Sequence, residues 1–312
     1  MENITLPVYI GVDTGNRCMK TANHVFVAGL SAISKDNSIF RDPLDYNGVR
    51  YALSQHRGAY AEDKTGNDDY FVLTLFAIQK ELETRGIDAR YSIPVVLCVG
   101  LPPRDFARLR ESFRAYFNRG VVQYAYNSIP RQIEIRDVNV YPQGIAAITP
   151  LFQSVKTLHR SHIIDIGGYT TDIIELQYGR MDPSLCTSLD RGMIHLYNSI
   201  IQRIASEKGV KVTEDDVDKM LETNMDLLPQ KDLMSIVRAE ALAFVSGLAA
   251  KLFELGIDLR VSRGVFVGGG ALRLKPYITA DSERIINPMF VDSIHANACG
   301  YESIAMAALR TR

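Results

Sequence analysis

The chain has 312 residues, 46% of them hydrophobic and 23% charged, with 35 basic against 36 acidic side chains and a net charge of −1. That length allows roughly two domains, the composition is that of a globule rather than a disordered chain, and the charge balance argues against a direct electrostatic grip on nucleic acid. No apolar run reaches the ~18 residues of a membrane span, Met1–Pro7 lacks the basic and apolar regions of a secretory signal, and Cys18, Cys98, Cys186 and Cys299 lie too far apart for a zinc knuckle or a disulfide scaffold, so a cytoplasmic location is expected.

The segment Val8-Tyr9-Ile10-Gly11-Val12-Asp13-Thr14-Gly15 is an apolar strand that ends in an aspartate and a small-residue turn. Cys18 to Thr21 and Val25 to Leu30 continue it as hairpin strands. Asp36 to Gly48, with Pro43 and Asn47-Gly48, reads as a polar loop. Phe71, Leu75, Ile78 and Leu82 recur at helical spacing, which predicts a helix over 68–85 stopped by Gly86. A buried strand over 93–99 closes at Gly100-Leu101-Pro102-Pro103, and a helix over 103–118 ends at Gly120. Strands over 121–126 and 133–138 lead through Pro142 into a short apolar helix ending at Leu151. Strands over 162–166 and 171–177 open the second half. Helices follow over 192–208, 213–222 and 233–255, then a strand over 264–267, a short helix over 271–277 and an Ala-rich helix over 293–309. Strands first, then strands mixed with helices in each half, is an α/β design. The halves also repeat: His162-Ile163-Ile164-Asp165-Ile166-Gly167-Gly168 has the plan of the first strand, with the two aspartates 152 positions apart.

Three turns have the residue types that grip phosphate. At Asp13-Thr14-Gly15-Asn16, a strand ending in a glycine turn aims several backbone N–H groups at one point, which suits an anion. Lys20 follows within reach of a phosphate, and Asp13 is placed to hold Mg²⁺ through water. A plain hairpin would look the same. At Asp165-Ile166-Gly167-Gly168-Tyr169-Thr170-Thr171-Asp172, paired glycines allow close approach of an anion and Thr170 can donate to a phosphate oxygen. At Val267-Gly268-Gly269-Gly270-Ala271-Leu272-Arg273, bare backbone between a buried strand and a helix would accommodate a purine with its ribose; a helix N-terminal loop is the bland reading. Neither GxxxxGK[ST] nor GxGxxG after a strand is present, so neither a Walker site nor a dinucleotide site is supported. The six histidines (His24, His56, His159, His162, His195, His295) show no HxxxH spacing, and no metal is assigned to them. Tyr116, Phe117, Tyr124 and Tyr126 read as core or surface packing, and Met193 to Ile204 as a buried helix face.

In this order the three turns resemble the phosphate-1, phosphate-2 and adenosine motifs of the actin-like ATPase superfamily. Val140-Tyr141-Pro142-Gln143-Gly144-Ile145-Ala146-Ala147 resembles its first interdomain helix, and Ala296-Asn297-Ala298-Cys299-Gly300-Tyr301-Glu302-Ser303-Ile304-Ala305 its second. Within that superfamily the chain looks most like the ParM/StbA plasmid-segregation actins: it lacks the extra insertions of actin, Val99-Gly100-Leu101-Pro102-Pro103 with Phe106 matches their Gly-Leu-Pro signature, and Ser188-Leu189-Asp190-Arg191-Gly192 matches their turn before a helix. The resemblance implies an actin-like (ribonuclease H-like) duplicated two-domain α/β fold with nucleotide in the interdomain cleft. The expected parts are a first domain over 1–145 with a small subdomain around 31–95, a second over 146–293, and a C-terminal helix over 294–312 returning to the first.

It further implies in-line attack of water on ATP or GTP with Mg²⁺. Asp165, Gln143 and Asp13 would be catalytic. Asp13 and Asp165 would hold the metal through water. Thr14, Gly15, Asn16, Lys20, Gly167, Gly168, Tyr169 and Thr170 would hold phosphates, with Asp172 bracing the second turn. Gly268, Gly269, Gly270 and Arg273 would face the nucleoside, and Lys219 on a helical lid the base or ribose. Relatives often carry Glu where Gln143 stands; a neutral amide orients water but cannot act as its base, which leaves Asp165 to polarise it. The implied partners are further copies of the chain in a filament and a DNA-bound adaptor at a centromere-like site, with no direct nucleic acid and no membrane.

The competing readings are a small-molecule kinase of the same superfamily, a non-segregating actin scaffold, and an aspartic protease. The protease needs a second Asp-Thr/Ser-Gly, which Asp165-Ile166-Gly167 does not supply. The scaffold's membrane-bound forms show an amphipathic basic segment; Arg310-Thr311-Arg312 more simply caps a helix C-terminus.

Overall fold

The computed structural model describes residues 6–34, 41–61, 63–182, 185–228 and 232–310. Its contacts divide the chain into two units, Met1–Thr149 with His295–Arg312 and Pro150–Ile294. Thr311 and Arg312, and residues 36–40 of the expected polar loop, lie outside the described residues.

In the first unit the strands are β1 (Val8–Thr14), β2 (Cys18–Lys20), β3 (Val25–Val27), β4 (Leu30–Ile33), β5 (Leu44–Tyr46), β6 (Val49–Leu53), β7 (Ile93–Leu101), β8 (Gly120–Tyr126) and β9 (Ile129–Pro142). Helix α1 (Asp69–Thr84) precedes β7 and α2 (Pro103–Phe117) follows it. One nine-stranded sheet runs β3-β2-β1-β7-β9-β8-β5-β6-β4. Its centre is parallel, β1 to β7 to β9, and the middle strand β7 is covered on both faces and reads as a continuous apolar run. All nine residues of β7 are buried. Val95, Leu97 and Val99 join the cluster that holds Phe71, Phe76, Phe113 and Phe117 of α1 and α2. Val96 and Cys98 point the other way, to Tyr301 and Ala305. The expectation that Phe117, Tyr124 and Tyr126 are core holds.

The second unit contains α3 (Phe152–Val155), β10 (Arg160–Ile166), β11 (Thr171–Gln177), β12 (Arg180–Met181), β13 (Thr187–Leu189), α4 (Met193–Lys208), α5 (Glu214–Thr223), α6 (Leu233–Glu254), β14 (Arg263–Val267), α7 (Gly268–Ala280) and β15 (Met289–Phe290). The sheet order is β12-β11-β10-β14-β15, with β13 on β11. Thr213 and Asp216 form a reciprocal cap at the start of α5. Among the described residues α6 alone is long and apolar enough to cross a membrane, which corrects the expectation that no segment is. Half of that stretch is buried, and Val237, Ala241, Val245 and Leu248 pack in the unit's core with Leu196, Tyr197 and Ile200 of the expected α4 face.

The repeat read from the sequence is realised as a shared ladder. In the first unit β1 pairs antiparallel with β2 and parallel with β7. In the second, β10 pairs antiparallel with β11 and parallel with β14. The register places Asp13 opposite Lys20 and Asp165 opposite Asp172, the same seven-residue spacing in both.

Helix α8 (Ala296–Arg310) completes the first unit. Glu302 accepts the Gly11 N–H at 2.8 Å and the Arg85 guanidinium at 2.7 Å. Arg85 also meets Glu81 at 3.0 Å and donates to the Tyr9 carbonyl at 2.7 Å. Burial pushes the Glu302 carboxyl up, against the hydrogen bond from Gly11 and the pull of Arg85. Burial also raises Glu81, yet its hydrogen bonds from Thr21 and Asn23 outweigh it and hold it low. The helix axis comes so near β1 that a Cβ on Gly11 would stand 2.1 Å from the Ala298 carbonyl oxygen.

Three expectations are corrected. Within the expected loop over Asp36 to Gly48, Leu44–Tyr46 is strand β5, and Asn47-Gly48 is the two-residue turn of the β5–β6 hairpin, with φ of 50° and 80°. Of the helix expected between Pro142 and Leu151 only a 3-10 turn over Thr149–Leu151 forms: Val140–Pro142 still belong to β9, and 143–148 is a turn, because Gly144 at φ 75° cannot continue a helix and its N–H goes to Asn297 Oδ1 at 2.9 Å. The glycine triple is the first turn of α7 and not a loop before it.

Two outcomes follow for stability. Gly11→Ala sets a methyl against a backbone carbonyl that has nowhere to go; it should cost about 2–3 kcal/mol, read as a lower urea midpoint. His162 is buried with Ser262 Oγ 3.1 Å from Nδ1 and Glu175 Oε2 3.4 Å from Nε2. Burial holds its imidazole below 6.5 despite the pull of Glu175, so the unfolded chain takes the proton more readily. The stability this contributes is complete above pH 6.5 and is lost as pH falls through the lower folded value. The urea midpoint should drop between about pH 7 and about pH 5, and drop less in His162→Asn.

Candidate functional site

In the first unit, β1 carries Asp13 to the strand tip with only 5% exposure. Two of the expected site residues reach it. The antiparallel register sets Lys20 alongside, with Nζ 3.3 Å from Oδ2. Gln143 donates its Nε2–H to Oδ1 at 3.2 Å, and its backbone N–H is fixed on the Leu101 carbonyl at 2.8 Å. Gln143 therefore sits beside a carboxylate that takes one of its amide donors, while its Oε1 acceptor faces elsewhere.

Thr14 is fully buried and its hydroxyl has no hydrogen-bond partner among the described residues. A buried hydroxyl left unmet costs free energy, so its position marks a place where an added donor or acceptor is favourable. The Thr14 carbonyl takes the Lys64 ammonium. Sequence reasoning missed Lys64: it lies in a polar loop 50 residues on, with no motif around it, and Lys64 also sits over the Tyr70 ring at 5.4 Å. Asn16 Oδ1 is occupied by the Ala61 N–H at 3.1 Å and the Tyr70 hydroxyl at 2.8 Å. What Asn16 can offer a ligand is thus its Nδ2 donor, the polarity an anion needs. Gly15 lies in the turn, packed under the Cys18 carbonyl.

In the second unit, Asp165 ends β10 opposite Asp172, with 8% and 7% exposure. Two buried carboxylates opposite each other repel and favour a cation or donors between them. Thr170 Oγ1 lies 3.5 Å from Asp172 Oδ2. The turn between them is anchored by its carbonyls. Gly167 and Gly168 accept from Met193 and Ile194 at the start of α4, at 3.0 and 2.9 Å. Every peptide here is trans, so N–H and C=O point to opposite sides of each plane. With the Gly167 and Gly168 carbonyls on α4, the next N–H groups, of Gly168 and Tyr169, are turned away from it side by side. That is the donor pair an anion nest requires.

Gly268 has a φ of 89°, and a Cβ there would come 2.4 Å from Asp165 Oδ1. The Asp165 carboxylate therefore rests against the N-terminal turn of α7, Gly268 to Gly270, whose dipole favours negative charge. Arg273 turns to α5: Nε is 3.2 Å from Asp218 and Nη2 3.1 Å from Glu222. Burial pulls its pKa down, but these carboxylates prevail and hold it high. Tyr197 closes the same group with 2.6 Å to Asp218. Lys219 is exposed on α5 beside Asp218.

Among the described residues no three His, Cys, Asp or Glu side chains cluster as a metal cage. Each unit taken by itself offers hard oxygens at its strand tip, the Asp13 carboxylate beside the Thr14 hydroxyl in the first and the Asp165 carboxylate in the second, and a carboxylate of this kind suits Mg²⁺, which keeps its waters and takes one or two carboxylates along with substrate phosphates.

Residues 11–145 match the family model for the N-terminal domain of actin-like proteins, and residues 163–280 the model for the C-terminal part of archaeal MreB-like actin homologues. No curated protein sequence matches the chain. Solved structures share its fold. The archaeal actin homologue Ta0583 has a TM-score of 0.75 at 19% identity, covering 96% of this chain and 99% of that one. A 15-stranded ParM filament from Clostridium botulinum also reaches 0.75, at 17% identity over 96% and 99%. Bacillus thuringiensis ParM with ATP reaches 0.69 at 14% identity over 97% and 99%.

The contact at Gly268 is open to test. Gly268→Ala combines a left-handed backbone with a methyl on the Asp165 carboxylate, and should destabilise the second unit by about 2–4 kcal/mol in a urea titration. Gly269→Ala, where an added methyl meets only Ile294 at 4.0 Å, should cost far less.

Proposed function

The chain belongs to the actin-like superfamily by both of its halves, and from that premise we propose that it is a Mg²⁺-dependent nucleoside triphosphatase. It polymerises with ATP or GTP and uses the filament to segregate plasmid or other replicon DNA. The observation that carries this reading is the repeated ladder, with a buried aspartate at each strand tip and a donor-lined turn behind it. One such hairpin is common. Two in the same register, with Lys20 and Gln143 gathered on Asp13, are a phosphate grip built twice.

The chain's own residues divide the work. Lys20, with Lys64 near the same turn, supplies positive charge for the phosphates. The Gly168 and Tyr169 N–H groups, the Asn16 Nδ2 and the Thr170 hydroxyl donate to phosphate oxygens. Gln143 orients the attacking water through its neutral amide, as a positioning glutamine does in phosphoryl transfer. Asp165 polarises that water. Mg²⁺, held through its waters by Asp13 and Asp165, would neutralise charge on the phosphate oxygens. Gly268 to Gly270 face the nucleoside, with Arg273 and Lys219 at the neighbouring α5–α7 contact.

Solved relatives of this fold carry ATP or ADP, and others are filaments, which supports nucleotide binding and self-association here. With a net charge of −1, DNA is engaged through an adaptor bound at a centromere-like site, and the chain works in the cytoplasm.

The test is light scattering and pelleting with ATP, GTP and non-hydrolysable analogues, alongside phosphate release. Wild type should assemble with a triphosphate and release phosphate. Asp165→Ala should slow phosphate release by about 100-fold or more while assembly persists. Unchanged hydrolysis in that variant would remove Asp165 from the catalytic role, and a chain that transfers phosphate to a small acceptor without pelleting would be a kinase.

A further inference from the structure

We propose that Arg191 is a positioning residue for the donor pair in the second unit's turn, braced against α6 at a place shaped by Gly247; the proposal rests on the phosphate-binding reading above. Arg191 stands between β13 and α4, in the segment that closes over the Gly167-Gly168 turn. Its backbone is held on both sides. The Arg191 N–H donates to the Leu189 carbonyl at 2.7 Å, and the Arg191 carbonyl accepts the Thr171 hydroxyl at 2.5 Å. Gly192 follows so close to the turn that a Cβ there would stand 2.5 Å from the Gly168 carbonyl oxygen. Met193 and Ile194 then donate to the Gly167 and Gly168 carbonyls at 3.0 and 2.9 Å. The run from Arg191 to Ile194 thus holds the turn by its carbonyl side. Where that run stands decides where the Gly168 and Tyr169 N–H groups aim.

The Arg191 side chain reaches α6. Its guanidinium lies over the Phe244 ring at 4.9 Å, and Nη2 is 3.4 Å from the Phe244 carbonyl oxygen. Taken alone, both partners in this contact are unfavourable choices. The guanidinium is half-buried yet makes no ion pair among the described residues, and its buried Nε has no hydrogen-bond partner among them. A cation so placed gives up hydration that an aromatic face and one long hydrogen bond restore only in part. Gly247 stands inside a helix, where glycine is disfavoured. A Cβ at position 247 would come 2.6 Å from Arg191 Nη2, so it is the glycine that admits the arginine.

A contact that served only the core would be better made by alanine at 247 and an apolar side chain at 191. The residues present instead hold a rigid planar group between α6 and the segment over the turn. Arg191 thereby fixes the spacing of that segment from α6. Through Met193 and Ile194 the spacing sets the aim of the donor pair, and a small error of aim is costly to an anion held by directed N–H groups.

The experiment uses the full chain with Arg191→Ala, Arg191→Lys, Gly247→Ala and the Arg191→Ala/Gly247→Ala double variant. Fluorescent ATP and GTP analogues identify the nucleotide that wild type binds, and the matching fluorescent nucleoside, which lacks the phosphates, is the control. Removal of Arg191 leaves no carboxylate unpaired, so Arg191→Ala should keep its urea midpoint; Arg191→Met, which retains the stem over Phe244, replaces it in the series if it does not. Affinity for the triphosphate should fall about tenfold in Arg191→Ala and in Gly247→Ala alike, with nucleoside affinity at the wild-type value. The double variant should be no weaker than Arg191→Ala alone, because both changes break one contact. Arg191→Lys, which keeps the charge without the plane, should stay close to Arg191→Ala. If Arg191→Ala binds the triphosphate as wild type does, loses triphosphate and nucleoside in proportion, or is fully rescued by lysine, or if the two single effects add, the inference is overturned while the phosphate-binding reading stands. If wild type binds neither triphosphate better than its nucleoside, that reading fails and this inference with it.

Discussion

A carboxylate at the tip of a strand buried on both faces is the constraint around which each unit is arranged. Charge placed there is costly unless it is met by donors or countercharge. The first unit meets Asp13 with a lysine from the antiparallel neighbour and an amide from the segment after β9. The second meets Asp165 with the N-terminal turn of a helix, brought close by a glycine that has no Cβ to spare. These are different solutions to one problem. They explain why the halves share a ladder while their turns differ in sequence, Gly15-Asn16 in one and Gly167-Gly168 in the other.

The same logic connects site and scaffold. The β7–β9 pairing that brings Gln143 to Asp13 also buries both faces of β7. One of those faces is sealed by α8, whose Glu302 reaches back to the Gly11 N–H, two residues before Asp13. The helix therefore supports the strand that carries the aspartate, through a Glu81–Arg85–Glu302 chain, buried at Glu81 and half-buried at the other two, in which removal of one member would leave a poorly compensated charge. In the second unit, the carbonyls of the Gly167-Gly168 turn serve as the cap of α4, so one turn both starts a helix and directs its own N–H groups to the other side.

Much of this was legible from residue pattern. Apolar runs ending in Asp and Gly located β1 and β10, helical spacing located α1, the ranges expected for α2, α4, α5 and α6 hold to within a few residues, and the aspartates repeat half a chain apart, while the duplicated fold itself followed from the resemblance of the motifs. Gln143 and Lys20 were named from the sequence and stand on Asp13. The misses share a cause. The β5–β6 hairpin is short, with strands of only three and five residues, and gains its strand character from pairing with β8 and β4. The turn at 143–148 was read as helix because its residues are apolar, whereas Gly144 and its bond to Asn297 decide its conformation.

By itself the sequence determined the α/β class, the two-fold repeat and the identity of the residues at the strand tips, because alternation, glycine turns and apolar runs are local properties of the chain. Only the tertiary structure decided that Lys64 lies on the Thr14 carbonyl, that Asn16 gives up its oxygen to Ala61 and Tyr70, and that Arg273 is bound to α5. Each of these joins residues far apart in the chain. Their meeting is set by the packing of whole elements, to which no short stretch of sequence is sensitive.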